Sequence, residues 1–260
     1  MNEINKTLFI PLYGKAQVSK QGIILKDAMA EKIWDAEKFP IHGKSKSKWL
    51  TYNMAMRGRV FDEWTESMLK QNPDALVLHI GCGLDGRCLR VKTPYANWID
   101  ADFDDVISLR KRYYAETEGY HMAVLDASKP EQIKKLPDSK VAIVVLEGLC
   151  MYLTNEQVYR MLRVLKEKYE DLHILMDVYT TFGAKASKYK NPVNDVGVTT
   201  LYGIDKMENV TKDSGVQLVA EHSFTPDYLV DELKPSERVF FKMMFATKLY
   251  RKIYRLYELS

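Results

Sequence analysis

The run Gly81-Cys82-Gly83-Leu84-Asp85-Gly86 comes directly after a short apolar segment, Ala75 to Ile80. Glycine lets a backbone turn sharply and come close to a ligand, and nucleotide-like ligands bind at the carboxyl ends of buried strands. A second apolar segment, Ala96 to Asp102, ends in acids: Asp100 and Asp102 both qualify, and Asp102 follows Gly83 by 19 residues. A carboxylate so placed can accept hydrogen bonds from both hydroxyls of a ribose, and Asp102 is the choice between the two. The turn as written also fits the GxGxxG dinucleotide fingerprint, so NAD(P) and S-adenosylmethionine (SAM) both stay open as the ligand.

Other residues could complete such a site. Glu147 follows the apolar run Val141 to Leu146. A carboxylate at the mouth of a buried strand is costly unless paired, with a cationic part of a ligand or with a nearby Lys or Arg. Arg57 interrupts the stripe Leu50, Met54, Phe61, Trp64 and Met68. An arginine there calls for a carboxylate, either the cofactor's methionine carboxylate or a protein acid. Asp126 and Ala127 follow the segment Met122 to Leu125, in the loop that lies beside the adenine of a SAM site. Asp177 and Tyr179 end the segment starting at His173, near where a methyl acceptor would sit. They are the candidate catalytic groups if the acceptor is a hydroxyl that needs a base; a carboxylate needs none. Phe182, Tyr189 and Tyr202 could line an aromatic acceptor's pocket, whereas His121, His173 and His222 read as structural or exposed.

The elements that must hold these residues alternate. Helices are expected over Asp27 to Phe39, with Asp27 as its cap, and over Lys48 to Gln71, stopped by Asn72-Pro73. Lys44 to Lys48 is a solvated loop between them. Strands are expected at Ala75–Ile80, Ala96–Asp102, Met122–Leu125, Val141–Leu146 and His173–Asp177, with a helix from Thr154 to Tyr169 opened by a Thr154/Gln157 capping box. Such βαβ repetition predicts a doubly wound α/β sheet. Towards the end, Val216–Ala220 and Lys252–Leu259 read as strands, with a helix over Glu237 to Phe245 between them. The expected organisation is one domain over 1–260: an N-terminal helical cap (1–72), a nucleotide-binding core (73–179), an insertion or lid (180–215) and C-terminal strands with a helix (216–260).

Composition narrows the partners. Lys plus Arg number 38 and Asp plus Glu 35, a net charge of +3, which points away from nucleic acid and from a membrane as partner. The residues Met1 to Tyr13 do not read as a signal peptide, so the cytoplasm is the expected location. Cys82, Cys88 and Cys150 show no CxxC spacing, which implies neither a disulfide framework nor a metal site. Three function classes remain: a methyltransferase, an NAD(P)-dependent oxidoreductase, and a binding module that has lost its chemistry. A short-chain dehydrogenase would need Tyr-x-x-x-Lys, and Tyr159 to Arg163 has Arg at the lysine position.

The segments from Leu8 to Ala16, Met56-Arg57-Gly58-Arg59, HIGCGLDGR, DADFDDVISLRKR and EGLCMYL, taken in order, resemble the leucine carboxyl methyltransferase family, in particular its bacterial branch of O-methyltransferases involved in polyketide biosynthesis. The resemblance runs from about Thr7 to Leu259. It implies a class I SAM-dependent methyltransferase (Rossmann-like) fold: seven strands, mostly parallel, the last antiparallel, with N-terminal helices and a late lid. It implies cofactor contacts at Lys15, Arg57, Gly81, Asp102, Asp126 and Glu147, and their neighbours Gly83 and Ala127 are further cofactor-binding candidates. It also implies O-methylation of a carboxylate or hydroxyl on a small molecule, with methylation of a protein carboxylate as an alternative. One departure stands out: where the family often has proline after the Asp-Phe pair, this chain has Asp104.

Overall fold

The computed structural model describes residues 6–41, 43–190, 194, 197 and 200–260. Three helices come first: α1 (Phe9–Gln21), α2 (Ala28–Glu37) and, after a short 3-10 turn at Gly43–Lys46, α3 (Lys48–Gln71). Then follow β1 (Leu76–Ile80), α4 (Arg87–Arg90), β2 (Asn97–Asp102), α5 (Asp104–Arg110), β3 (Tyr120–Val124), α6 (Pro130–Ile133), β4 (Val141–Leu146), α7 (Asn155–Lys168) and β5 (Asp171–Tyr179). The chain continues through α8 (Thr181–Lys190), α9 (Met207–Ser214), β6 (Leu218–His222), α10 (Asp227–Val230), α11 (Pro235–Phe245), α12 (Lys248–Arg251) and β7 (Tyr254–Leu259).

The seven strands lie in the order β3-β2-β1-β4-β5-β7-β6. β1 to β5 pair in parallel, while β7 runs antiparallel to both β5 and β6. Strand order reverses between β1 and β4, so the chains leaving these two strands diverge to opposite sides. A crevice opens at their carboxyl ends, where ligands bind in open α/β sheets. The alternation of side chains along β1 sorts its residues. Leu76, Leu78 and Ile80 pack towards Val158, Met161 and Leu165 of α7. Val77 faces the other way, among Leu12 of α1 and Phe61, Trp64 and Leu69 of α3.

Several expectations hold at the level of single residues. Asp27 caps α2 by accepting from Ala30 N at 2.8 Å. Both halves of the Thr154/Gln157 capping box form. α3 covers Lys48 to Gln71 and ends at Asn72. Other bounds move: β3 begins at Tyr120, β5 runs on to Tyr179, β6 starts at Leu218 and β7 at Tyr254. The helix expected from Glu237 begins at Pro235, a residue whose fixed φ suits the first helical turn. Helix α1 has no counterpart in the sequence-based expectation. Its buried residues, among them Phe9, Leu12, Lys15, Ala16, Val18 and Ser19, lie all around the helix, so it shows no single apolar stripe. No described helix is long and apolar enough to cross a membrane.

Candidate active site

A cavity of about 190 Å³ lies at the carboxyl ends of β1, β2, β4 and β5, roofed by α1 and α3. The glycine turn forms its floor. Gly81 and Gly83 adopt φ of 72° and 53°, the left-handed region where a Cβ is strained. A Cβ on Gly81 would come within 3.1 Å of Leu149, and one on Gly83 within 3.3 Å of Leu8. Asp102 ends β2 against this turn: its Oδ2 accepts from Gly83 N at 2.8 Å and its Oδ1 from Phe103 N at 2.7 Å. It makes no ion pair among the described residues, and burial raises its pKa to about 6 against the pull of these two N–H groups and of Arg110. Asp100 is the other kind of acid. It is fully buried, accepts from Trp98 Nε1 and Tyr120 Oη at 2.8 Å each, and pairs with Arg110. Arg110, together with His79 and Trp98, holds it down at about 2 despite burial. Asp100 is thus scaffold, and Asp102 faces the cavity.

The opposite end is densely ionic. Glu147 accepts from Lys15 Nζ at 3.2 Å and from Arg57 Nε at 3.1 Å, and it also pairs with Arg87. Lys15 pairs with Asp85 as well, which Arg90 holds from the other side at 3.0 Å. Burial opposes the charge on both acids, yet Lys15, Arg57 and Arg87 outweigh it for Glu147, and Arg90, Lys15 and Arg87 do so for Asp85; both pKa values are lowered. Arg57 reaches three partners: Glu147 at 3.0 Å, Asp177 at 3.3 Å and the Tyr254 hydroxyl at 2.8 Å. Two protein acids are thus partners of Arg57, which also lines the cavity. Gly148 makes room for it: its φ is 69°, and a Cβ there would lie 3.3 Å from Arg57 Nη2. The charge on Glu147 likewise has its partners in neighbouring Lys and Arg residues.

The remaining wall is apolar and aromatic, with Leu50, Met54, Met151, Tyr152, Tyr179 and Tyr254 among its residues. Asp177 is not part of it. This acid is fully buried behind Tyr254, accepting from Gly148 N at 2.7 Å and from the Tyr254 hydroxyl. Burial pushes its pKa up even beside Arg57. As a base touching the acceptor it is therefore misplaced, whereas Tyr179 does line the cavity. Asp126 and Ala127 do not line it: Asp126 accepts from Ser128 and pairs with Lys129 at 3.5 Å. Nor do Phe182 and Tyr202, 59% and 39% exposed; the side chain of Tyr189 lies outside the described residues. Among the described residues the insertion contributes nothing to the cavity wall, and the N-terminal helices close it instead. Lining residues that the sequence did not assign to the site include Asp27, His79, Asp85, Tyr152 and Tyr254. Asp85 stands inside the glycine turn, where an acid is a readable signal; Tyr254 has none, because β7 meets the cavity only once the sheet is assembled.

A family model for leucine carboxyl methyltransferases matches residues 6–166. The chain belongs to the leucine carboxyl methyltransferase family. Its chemistry is SAM-dependent methyl transfer, and the oxidoreductase alternative falls with that finding. This methyltransferase is 29% identical over 241 residues to the tetracenomycin polyketide synthesis O-methyltransferase TcmP of Streptomyces glaucescens, covering 90% of this chain and 88% of that one. Solved structures agree on the fold. Magnesium protoporphyrin IX methyltransferase of Synechocystis PCC 6803, with bound S-adenosylhomocysteine, superposes with a TM-score of 0.53 at 12% identity over 89% of this chain and 94% of that one. A SAM-dependent methyltransferase of Mesorhizobium loti does so with a TM-score of 0.51 at 13% identity, over 76% and 97%.

The cavity's donor set suits SAM. Asp102 offers acceptor capacity for hydroxyls, with two N–H groups and no cation on it. Lys15 and Arg57 beside Asp85 and Glu147 provide both signs of charge for an amino-acid moiety that carries both.

Proposed function

We propose that this methyltransferase transfers the SAM methyl group to a carboxylate oxygen of a small, largely apolar molecule. The observation behind this reading is the place of Asp177. This acid, near the end of β5, is sealed behind Tyr254 and engaged by Arg57, so it does not stand ready to deprotonate an acceptor. An acceptor that already carries negative charge needs no base. The relative TcmP, an O-methyltransferase of polyketide synthesis, supports oxygen as the acceptor atom and a small molecule as its carrier.

SAM supplies an activated methyl group and its own leaving group. The protein's residues bind and orient. Asp102 accepts from the ribose hydroxyls, beside the glycine turn of Gly81 and Gly83. Lys15 and Arg57 hold the cofactor's carboxylate, and Asp85 and Glu147 its amine. Phe103 and Val106, next to Asp102, offer apolar surface for the adenine. Leu50, Met54 and Met151 keep water from the acceptor oxygen, which would otherwise shield the nucleophile.

The test is an incubation of the purified protein with methyl-labelled SAM and paired acceptors: aromatic carboxylic acids, their amides, and phenols of the same ring size. Label in base-labile methyl esters is expected. Label in base-stable ethers alone would move the acceptor to a hydroxyl. Label only on peptides ending in a free carboxylate would favour a protein acceptor.

A further inference from the structure

Helix α11 turns a strongly apolar face to solvent. Val239, Phe240, Met243 and Met244 are 65%, 46%, 70% and 42% exposed, and Leu249 in α12 adds another at 63%. At 3.6 residues per turn, the four on α11 span an arc of about 140°. Phe241, outside that arc, is the side chain of α11 that is buried. A contiguous apolar face of this kind on one molecule marks a contact with something else.

The charge around it says what. Residues 234–252 contain six bases (Lys234, Arg238, Lys242, Lys248, Arg251, Lys252) and one acid (Glu237), a formal +5, whereas the chain as a whole is +3. All other residues together therefore carry −2. Arg238 and Lys242 are answered by Asp231 and Asp227 of the preceding segment, at 3.1 and 2.7 Å. Lys234, Arg251 and Lys252 are exposed and form no ion pair among the described residues. The segment that carries the apolar face thus holds three exposed bases with no ion pair among the described residues. A second copy related by a two-fold axis would set like charges against each other around the same patch, which costs association free energy. An anionic lipid surface meets both the apolar side chains and the bases.

We propose that this face docks the methyltransferase on anionic lipid, with α11 lying in the plane of the interface and Val239, Phe240, Met243 and Met244 among the upper acyl chains. The location suits an acceptor that partitions into lipid. Phe245, at the end of α11, and Tyr250 line a second cavity of about 280 Å³, and Tyr254 belongs to the walls of both this cavity and the one at the strand ends. The docking does not depend on which oxygen is methylated.

Sedimentation of the full chain with vesicles tests it. Binding to phosphatidylcholine vesicles containing phosphatidylglycerol is expected to exceed binding to phosphatidylcholine alone, and to weaken as salt is added. The double change Val239→Asp with Met243→Asp, at exposed positions away from the cavity, is expected to weaken vesicle binding about tenfold or more while leaving the melting temperature and S-adenosylhomocysteine affinity unchanged. Lys234→Glu with Lys252→Glu is expected to remove the dependence on phosphatidylglycerol. Equal sedimentation of wild type and the Val239/Met243 variant, or no vesicle binding at all, overturns the proposal. So does a dimer in equilibrium sedimentation that these apolar changes dissolve, which would assign the face to a second copy.

Discussion

Asp100 and Asp102 sit two residues apart on one strand and on one side of the sheet, yet they behave as opposites. The first is paired with Arg110 and held down at about 2; the second accepts from two backbone N–H groups, has no ion pair among the described residues, and is pushed up by burial to about 6. The raised value of Asp102 exceeds the ordinary 3.8, so its contribution to stability is full at low pH and is lost as pH rises through about 6. A ligand whose hydroxyls bond the ionised form reverses that cost. S-adenosylhomocysteine affinity is therefore expected to fall about tenfold between pH 7 and pH 5, as one proton must be displaced per ligand bound. Asp102→Asn should flatten that profile in calorimetry, and Asp102→Ala should cost about 1.5–3 kcal/mol of binding at pH 7. An unchanged profile in the Asn variant would assign the titration elsewhere. Arg57 carries a second expectation. Arg57→Met takes from Asp177 its ion pair among the described residues and leaves Glu147 with Lys15 and Arg87, so unfolding free energy is expected to drop by about 3 kcal/mol, together with a loss of SAM affinity. A variant as stable as the parent would mean that the acids find other partners.

The two segments that flank the core illustrate how differently an element can announce itself. Helix α7 was legible down to its cap, since the Thr154/Gln157 pair and a one-sided apolar pattern are local signals. Thr154→Ala is expected to cost about 1 kcal/mol in urea unfolding. Helix α1 gave no such signal. It is wedged between α2, α3 and the cavity, so contacts on several sides replace the amphipathic stripe that periodicity detects. The insertion after β5 is held by close backbone approach. A Cβ on Gly203 would lie 2.3 Å from the Thr180 carbonyl, and one on Gly183 would lie 2.2 Å from Ile253 O. Gly203→Ala is expected to lower stability by about 1–3 kcal/mol, the range for forcing atoms into a packed region, with a matching fall in melting temperature. A neutral substitution would mean that this segment yields more easily than its packing suggests.

Binding at the crevice should be visible in the stability of the entire protein. SAM at about 100 times its Kd adds about 2.7 kcal/mol of unfolding free energy, and NAD at the same concentration should add nothing measurable. A thermal shift with NAD and none with SAM would be incompatible with this site. The net charge of +3 is likewise a sum that hides its parts: a basic, apolar segment near the carboxyl end is balanced by acids elsewhere, so the average spoke against a membrane while the local arrangement speaks for one.

The glycine turn, the acid 19 residues beyond it, the alternation of strands and helices and the capped α7 were all readable in order along the chain, because each rests on interactions within a few residues or on a period imposed by one buried face. They were enough to indicate a nucleotide-binding α/β sheet and, with the resemblance, the family. What folding alone settled is which charges meet. Arg57 and Glu147 are 90 residues apart, Arg57 and Tyr254 are 197 apart, and nothing local tells an arginine whether its carboxylate will come from a ligand or from a neighbouring strand. The same holds for Asp177: at the end of a strand it looks available, and only the antiparallel return of β7, which lays Tyr254 across it, takes it out of reach.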